Sequence, residues 1–179
     1  CCLAAALADN RHEVLIGARR PFERLVIEGD LARDLPARCA AAPSELAGAD
    51  LVVLATKAHQ TAGAADWLIA AAAGGAPILV AQNGVDHRAR IAAILGAHAG
   101  SARVVPAVVY LPAHRAAPGR AVREGRAALS LPRDAGGAAF AAALADSFVR
   151  VDLVDDWLTA SWTKLLMNAA SGAITALLG

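Results

Sequence analysis

Lys57 and Lys164, with Asn10, Asn83 and Asn168, are the only lysines and asparagines in a 179-residue chain that holds 15 arginines and 48 alanines. Against a background so tilted from Lys towards Arg, the surviving lysines are candidates for positions where arginine would not serve, because lysine alone of the two readily gives up its proton; chance retention is the plainer alternative. Lys164 and Asn168 are four apart, so on a helix they share one face. An ammonium beside an amide can protonate or polarise a carbonyl and hold a neighbouring carboxylate. A lysine snorkelling from an amphipathic helix is the commoner meaning of such a residue. The positions of the other polar groups decide between the two.

Three polar sets follow apolar runs. Arg19-Arg20 comes after 13–18 (EVLIGA), Thr56-Lys57 closes 50–56 (DLVVLAT), and Gln82-Asn83 closes 77–82 (PILVAQ). In a doubly wound sheet, ligands sit at the carboxyl ends of the strands, where these groups would fall. In dinucleotide folds the end of the second strand faces the adenosine ribose. An acid there selects NAD, whereas arginine pairs its planar fork with the 2′-phosphate of NADP. His12, His59, His87, His98 and His114 share no spacing and read as surface or cap residues. No P-loop, nucleophile elbow, zinc pattern or paired-carboxylate motif is present.

The elements that must position these groups alternate. Residues 3–8 read as the end of a helix, 13–18 as a short strand, and 25–27 as either a strand or a helix end. The run 50–56 suits a strand buried on both faces. Helix is expected over 59–73, strand over 77–82, a turn at Asn83-Gly84 and helix over 86–95. A fourth apolar run covers 103–110, a hairpin is expected around Glu124-Gly125, then helix over 135–145 and strand over 148–154. From Asp156 one long helix carries Trp157, Trp162, Leu165, Leu166 and Ile174 as apolar markers. Strands alternating with helices give an α/β fold: a Rossmann-like, doubly wound, mainly parallel sheet, followed by the first helix of an all-α domain.

Composition sets the outer limits. Hydrophobic residues make up 57% and charged residues 18%, which rules out disorder. A net charge of +1 with no long basic block gives no footprint for nucleic acid. The apolar stretch 67–81 is broken by Gly74, Gly75 and Pro77, which argues against a membrane span. Three cysteines without ligand spacing suit a reduced, cytoplasmic protein. The chain opens on Cys1 inside an apolar run, without a basic leader, and reads as a fragment.

Three segments resemble motifs of the ketopantoate reductases (2-dehydropantoate 2-reductases): Ala55-Thr56-Lys57-Ala58-His59-Gln60, Gln82-Asn83-Gly84-Val85, and Trp162-Thr163-Lys164-Leu165-Leu166-Met167-Asn168. Their order and spacing match, as does the later Ile174-Thr175-Ala176-Leu177, so the resemblance runs from His12 to Leu177. It implies NADPH-dependent reduction of ketopantoate to pantoate, on the route to pantothenate and coenzyme A. It further implies that Arg19 binds the 2′-phosphate and that Lys57 and Gln60 line the cofactor site. Asn83 would contact both cofactor and substrate, and Ala113 would offer backbone to the nicotinamide end. Lys164 would donate the proton, and Asn168 would hold the substrate.

By the same resemblance, residues 1–155 would form an NADP-binding domain lacking its glycine-rich loop. Residues 156–179 would begin a helical substrate domain, through whose remainder a homodimer would form. Gly172 stands where the family has an asparagine. The alternatives are a reductase of another 2-oxo acid and a non-catalytic NADP-binding module. In this topology the first strand lies between 13–18 and 50–56, so those two runs are expected to show a gap or a direct contact. The long helix is expected to expose its apolar side, and the chain alone to be a poor enzyme.

Overall fold

Pro77–Val80 is buried along its whole length in the computed structural model. The structure describes residues 1–101 and 103–178, with side chains at 1–99 and 103–171. In chain order the elements are α1 (Cys2–Asp9), β1 (Leu15–Ile16), β2 (Arg24–Gly29), β3 (Arg33–Pro36), β4 (Arg38–Cys39), β5 (Val52–Leu54), α2 (Ala65–Ala73), β6 (Pro77–Val80) and α3 (His87–Leu95). There follow β7 (Arg103–Pro106), β8 (Val108–Tyr110), β9 (Ala113–Ala117), β10 (Arg120–Arg123), β11 (Ala127–Pro132), α4 (Ala135–Ala143), β12 (Val149–Val154) and α5 (Trp157–Leu178).

β5, β6 and β7 form the parallel sheet that organises the site, with Val53 opposite Leu79 and Leu79 opposite Val105. A parallel sheet needs cover on both faces. One face packs Ile78 and Val80 against Leu68, Ala71 and Ala72 of α2 and Ile91 and Leu95 of α3. The other turns Leu79 and Val105 into a core with Leu129, Leu131 and the fully buried Phe140. Burying a side chain such as Phe140 or Leu79 contributes about 1.5–3 kcal/mol each.

The apolar run 103–110 is not one strand. β7 stays in the parallel sheet, while β8 pairs antiparallel with β11, which in turn pairs parallel with β12. Ala107 lies at the break, 1% exposed, its N–H donating to the Val80 carbonyl at 3.2 Å. The ambiguous 25–27 segment is strand, the core of β2, which pairs with β3 and β10.

The hairpin expected at Glu124-Gly125 is not made there. β10 and β11 belong to different sheets, and the hairpin joins β9 to β10 through Pro118-Gly119. The turn must pass tightly under Arg24 and Phe22. Gly119 has φ +72°, and a Cβ there would lie 2.3 Å from the Arg24 carbonyl oxygen.

β1 pairs with β4 and β5 with β6, so the two runs belong to different sheets, and among the described residues no strand pairs with both. Asn10 serves the fold and not the site, since its Nδ2 donates to the Ala143 carbonyl at 2.8 Å. His12 Nε2 donates to the same oxygen at 3.0 Å. Together they dock the end of α1 on the end of α4. On α5, Leu158, Trp162, Leu166 and Met167 are about half exposed or more, as expected for its apolar side.

Candidate active site

The carboxyl ends of β6 and β7 and one face of α5 enclose a cleft lined by Asn83, Ala107, Ser161, Lys164 and Asn168. Gln82 and Gly84 flank Asn83 in its wall. Trp157, Ser161, Lys164 and Asn168 recur at helical spacing, so one stripe of α5 carries the polar wall. The N-terminus of α5 is held by Asp156, whose carboxylate accepts from the Thr159 N–H at 2.9 Å; that bond holds its pKa below the ordinary value. Ser161 is 3% exposed and returns its hydroxyl to the Leu158 carbonyl, so it shapes the wall without offering a free donor.

Lys164 Nζ lies over the face of the Tyr110 ring, 4.5 Å from its centroid. The negative face of an aromatic ring attracts an ammonium. The sequence carries no signal for this role of Tyr110, because at the end of an apolar run an aromatic ring reads as core.

Gln82 is the hub beneath the cleft. It is 5% exposed, and its Nε2 donates to the Thr56 carbonyl at 2.8 Å and lies 3.0 Å from both Thr56 Oγ1 and Thr61 Oγ1. Its Oε1 accepts from Arg90 Nη2 at 2.9 Å, and Arg90 is also paired with Asp86. One amide thereby ties the Thr56-Lys57 loop to the Asn83 turn. Most buried polar groups are satisfied in this way.

The expectation that all five histidines are surface or cap residues fails at His87. It is 1% exposed, and its Nε2–H donates to the Gln82 carbonyl at 2.8 Å. Burial pushes its pKa down, so the ring is held neutral. Its edge meets the Trp157 ring with centroids 5.4 Å apart. No local sequence signal marks a histidine at a helix start as buried.

The remaining candidates do not line this cleft. Lys57 is exposed at the head of the short helical segment Ala58–Ala64, and the Gln60 N–H donates to the Lys57 carbonyl at 2.8 Å. Arg19 and Arg20 lie exposed in a bend after β1, and neither forms an ion pair with a described acid. Ala113 is exposed at the start of β9, opposite Arg123. Gly172 and residues 174–177 fall outside the residues whose side chains are described. Among the described residues no group of His, Cys, Asp or Glu is placed to hold a metal ion.

A parallel β5-β6-β7 sheet covered on both faces, with its polar groups at the strand ends, defines a Rossmann-like α/β protein. Comparison with known proteins makes the assignment specific. The family model described as "Ketopantoate reductase PanE/ApbA" matches residues 1–136, and the chain belongs to that family. A 2-dehydropantoate 2-reductase of Caulobacter vibrioides is 37% identical over 98% of this chain and 59% of its own length. One from Mycobacterium tuberculosis is 34% identical over 95% of this chain and 57% of its own. The crystal structure of a PanE/ApbA family ketopantoate reductase from Ralstonia eutropha JMP134 superposes with a TM-score of 0.81 at 31% identity, covering 95% of this chain and 58% of that one. The chain thus spans less than two thirds of the length of the relatives it matches.

Proposed function

We propose that the whole protein reduces ketopantoate to pantoate with NADPH, in the cytoplasm, on the route to pantothenate and coenzyme A. The observation that carries this reading is the meeting of Asn83, Lys164 and Asn168 in one cleft at the carboxyl edge of the parallel sheet. A 2-oxo acid presents a carbonyl and an adjacent carboxylate, and an ammonium flanked by two amides matches both groups.

The residues present fit a phosphorylated dinucleotide. Arg19 is exposed after β1 and forms no ion pair with a described acid, so its fork is free for a 2′-phosphate. Lys57 and Gln60 sit in the loop that Gln82 ties to Asn83, which supports their place beside the cofactor. Ala113 would offer its backbone near the nicotinamide end. NADPH supplies the hydride when bound.

The chain's own residues do the rest. Lys164 gives a proton to the developing alkoxide and meanwhile stabilises its charge. Asn168 holds the substrate, and Asn83 fixes the keto group between cofactor and lysine. Residues 1–155 act as the NADP-binding part, residues 156–179 open the helical substrate part, and the rest of that part would provide a homodimer contact.

The test is a panel of 2-oxo acids with the whole protein, following NADPH consumption. Ketopantoate should be turned over best. Faster reduction of another 2-oxo acid would reassign the substrate, and no consumption with any of them would overturn the reading.

A further inference from the structure

His87 is a buried titratable group that the proposed reaction leaves unused. Its hydrogen bond to the Gln82 carbonyl spans the Asn83-Gly84 turn from behind. Gly84 takes φ +123°, a conformation side chains rarely adopt and glycine adopts freely, so the turn is made at a residue that does not itself hold the backbone to one conformation. On its far side the imidazole meets Trp157, the first residue of α5. Lys164 and Asn168 are seven and eleven positions further along, about two and three turns on the same face. His87 therefore touches both walls of the cleft at their roots without entering it.

Its second nitrogen, Nδ1, and the indole Nε1 of Trp157 are both buried without a hydrogen-bond partner. The charged groups at this ring are the Arg90 guanidinium, which opposes a charge on it, and the Asp86 carboxylate, which favours one. Burial outweighs both, and the ring stays a neutral Nε2–H donor.

We propose that His87 is a positioning residue, which fixes the Asn83 turn and sets it against the α5 stripe that carries Lys164 and Asn168. For its effect on catalysis this rests on the reductase reading above; for the geometry it stands on the contacts alone. The test compares wild type, His87→Gln, which can still donate to the Gln82 carbonyl, and His87→Leu, which cannot. Two measurements are made on the whole protein: amide exchange of the peptide spanning Asn83, and steady-state rates with ketopantoate and NADPH.

In His87→Leu, exchange at the turn should quicken about tenfold. Its kcat should fall about 10–100-fold, in line with a misplaced reacting group. His87→Gln should recover most of both. Unchanged exchange at the turn in His87→Leu, or a glutamine variant no better than the leucine one, would overturn the proposal. If the wild type does not reduce ketopantoate, the functional reading fails, while the exchange data still decide the positioning role. Should His87→Leu not fold, His87→Asn, too short to reach the carbonyl, takes its place with the same expected outcomes.

Discussion

The Lys164 ammonium and the Tyr110 ring are stacked, Nζ 4.5 Å from the ring centroid, at the junction of α5 and β8. The pair joins a helix to a strand of the mixed β8-β11-β12 sheet, and it fixes where on the cleft wall the ammonium stands. A lysine side chain alone has four rotatable bonds and no preferred aim. The ring supplies the aim.

Lys164→Ala in the whole protein should lower kcat by roughly 10²–10⁴, the range for loss of a positioned proton donor. Lys164→Arg should be nearly as slow, since a guanidinium does not release its proton near neutrality. Near-normal turnover in the arginine variant would show that only charge is needed.

Tyr110→Phe keeps the aromatic face and should leave turnover within a few fold of wild type. Tyr110→Leu removes the face and forfeits about 0.5–2 kcal/mol of ammonium attraction. Its kcat should drop by about threefold or more. Equal rates in the two variants would mean that the ring does not steer the lysine.

Arg19→Ala should weaken NADPH more than NADH. A charge-assisted pair with the 2′-phosphate is worth on the order of 1.5–3 kcal/mol. The ratio of kcat/KM values for the two cofactors should fall at least tenfold. An unchanged ratio would remove Arg19 from the phosphate site and leave Arg20 to be tested there.

The pH dependence of stability should carry the signature of His87. Unfolded, its imidazole takes up a proton around the ordinary value of 6.5, while burial holds the folded value lower. Between the two the unfolded chain binds more protons, so this contribution is complete above the ordinary value and is lost as pH falls through the folded one. The melting temperature of the wild type should therefore fall faster than that of His87→Gln on acidification below about pH 6.5. Parallel profiles would show that His87 does not titrate on unfolding.

What the sequence makes legible is local. Lys164 and Asn168 share a helix face by spacing alone, and β5 and β6 are visible because strands buried on both faces must be apolar throughout. The same signal hides the break at Ala107, since one apolar run reads alike whether it serves one sheet or two. Glu124-Gly125 looks like a hairpin, but β10 turns back on β9 and takes its other partner far away in the chain, at β2, leaving β11 to another sheet. His87 reads as a surface residue because its burial is made by Trp157, some seventy residues downstream. The Gln82 network is equally hidden: the residue stands at a strand end, but its partners Thr56, Thr61 and Arg90 meet it only in the folded chain.

Ala107 has a mechanical consequence. The strand that leaves the parallel sheet at β7 enters the mixed β8-β11-β12 sheet at β8, and the residue between them is part of the cleft wall. Any rotation of one sheet against the other must turn about this short link, because the backbone is continuous there and the side chain has no room to give. The seam between the sheets and the floor of the cleft are one object. A twist of a few degrees at that pivot would be felt at once in the spacing of Asn83 and Lys164 and in the core that Leu79 and Val105 share with Leu129 and Leu131.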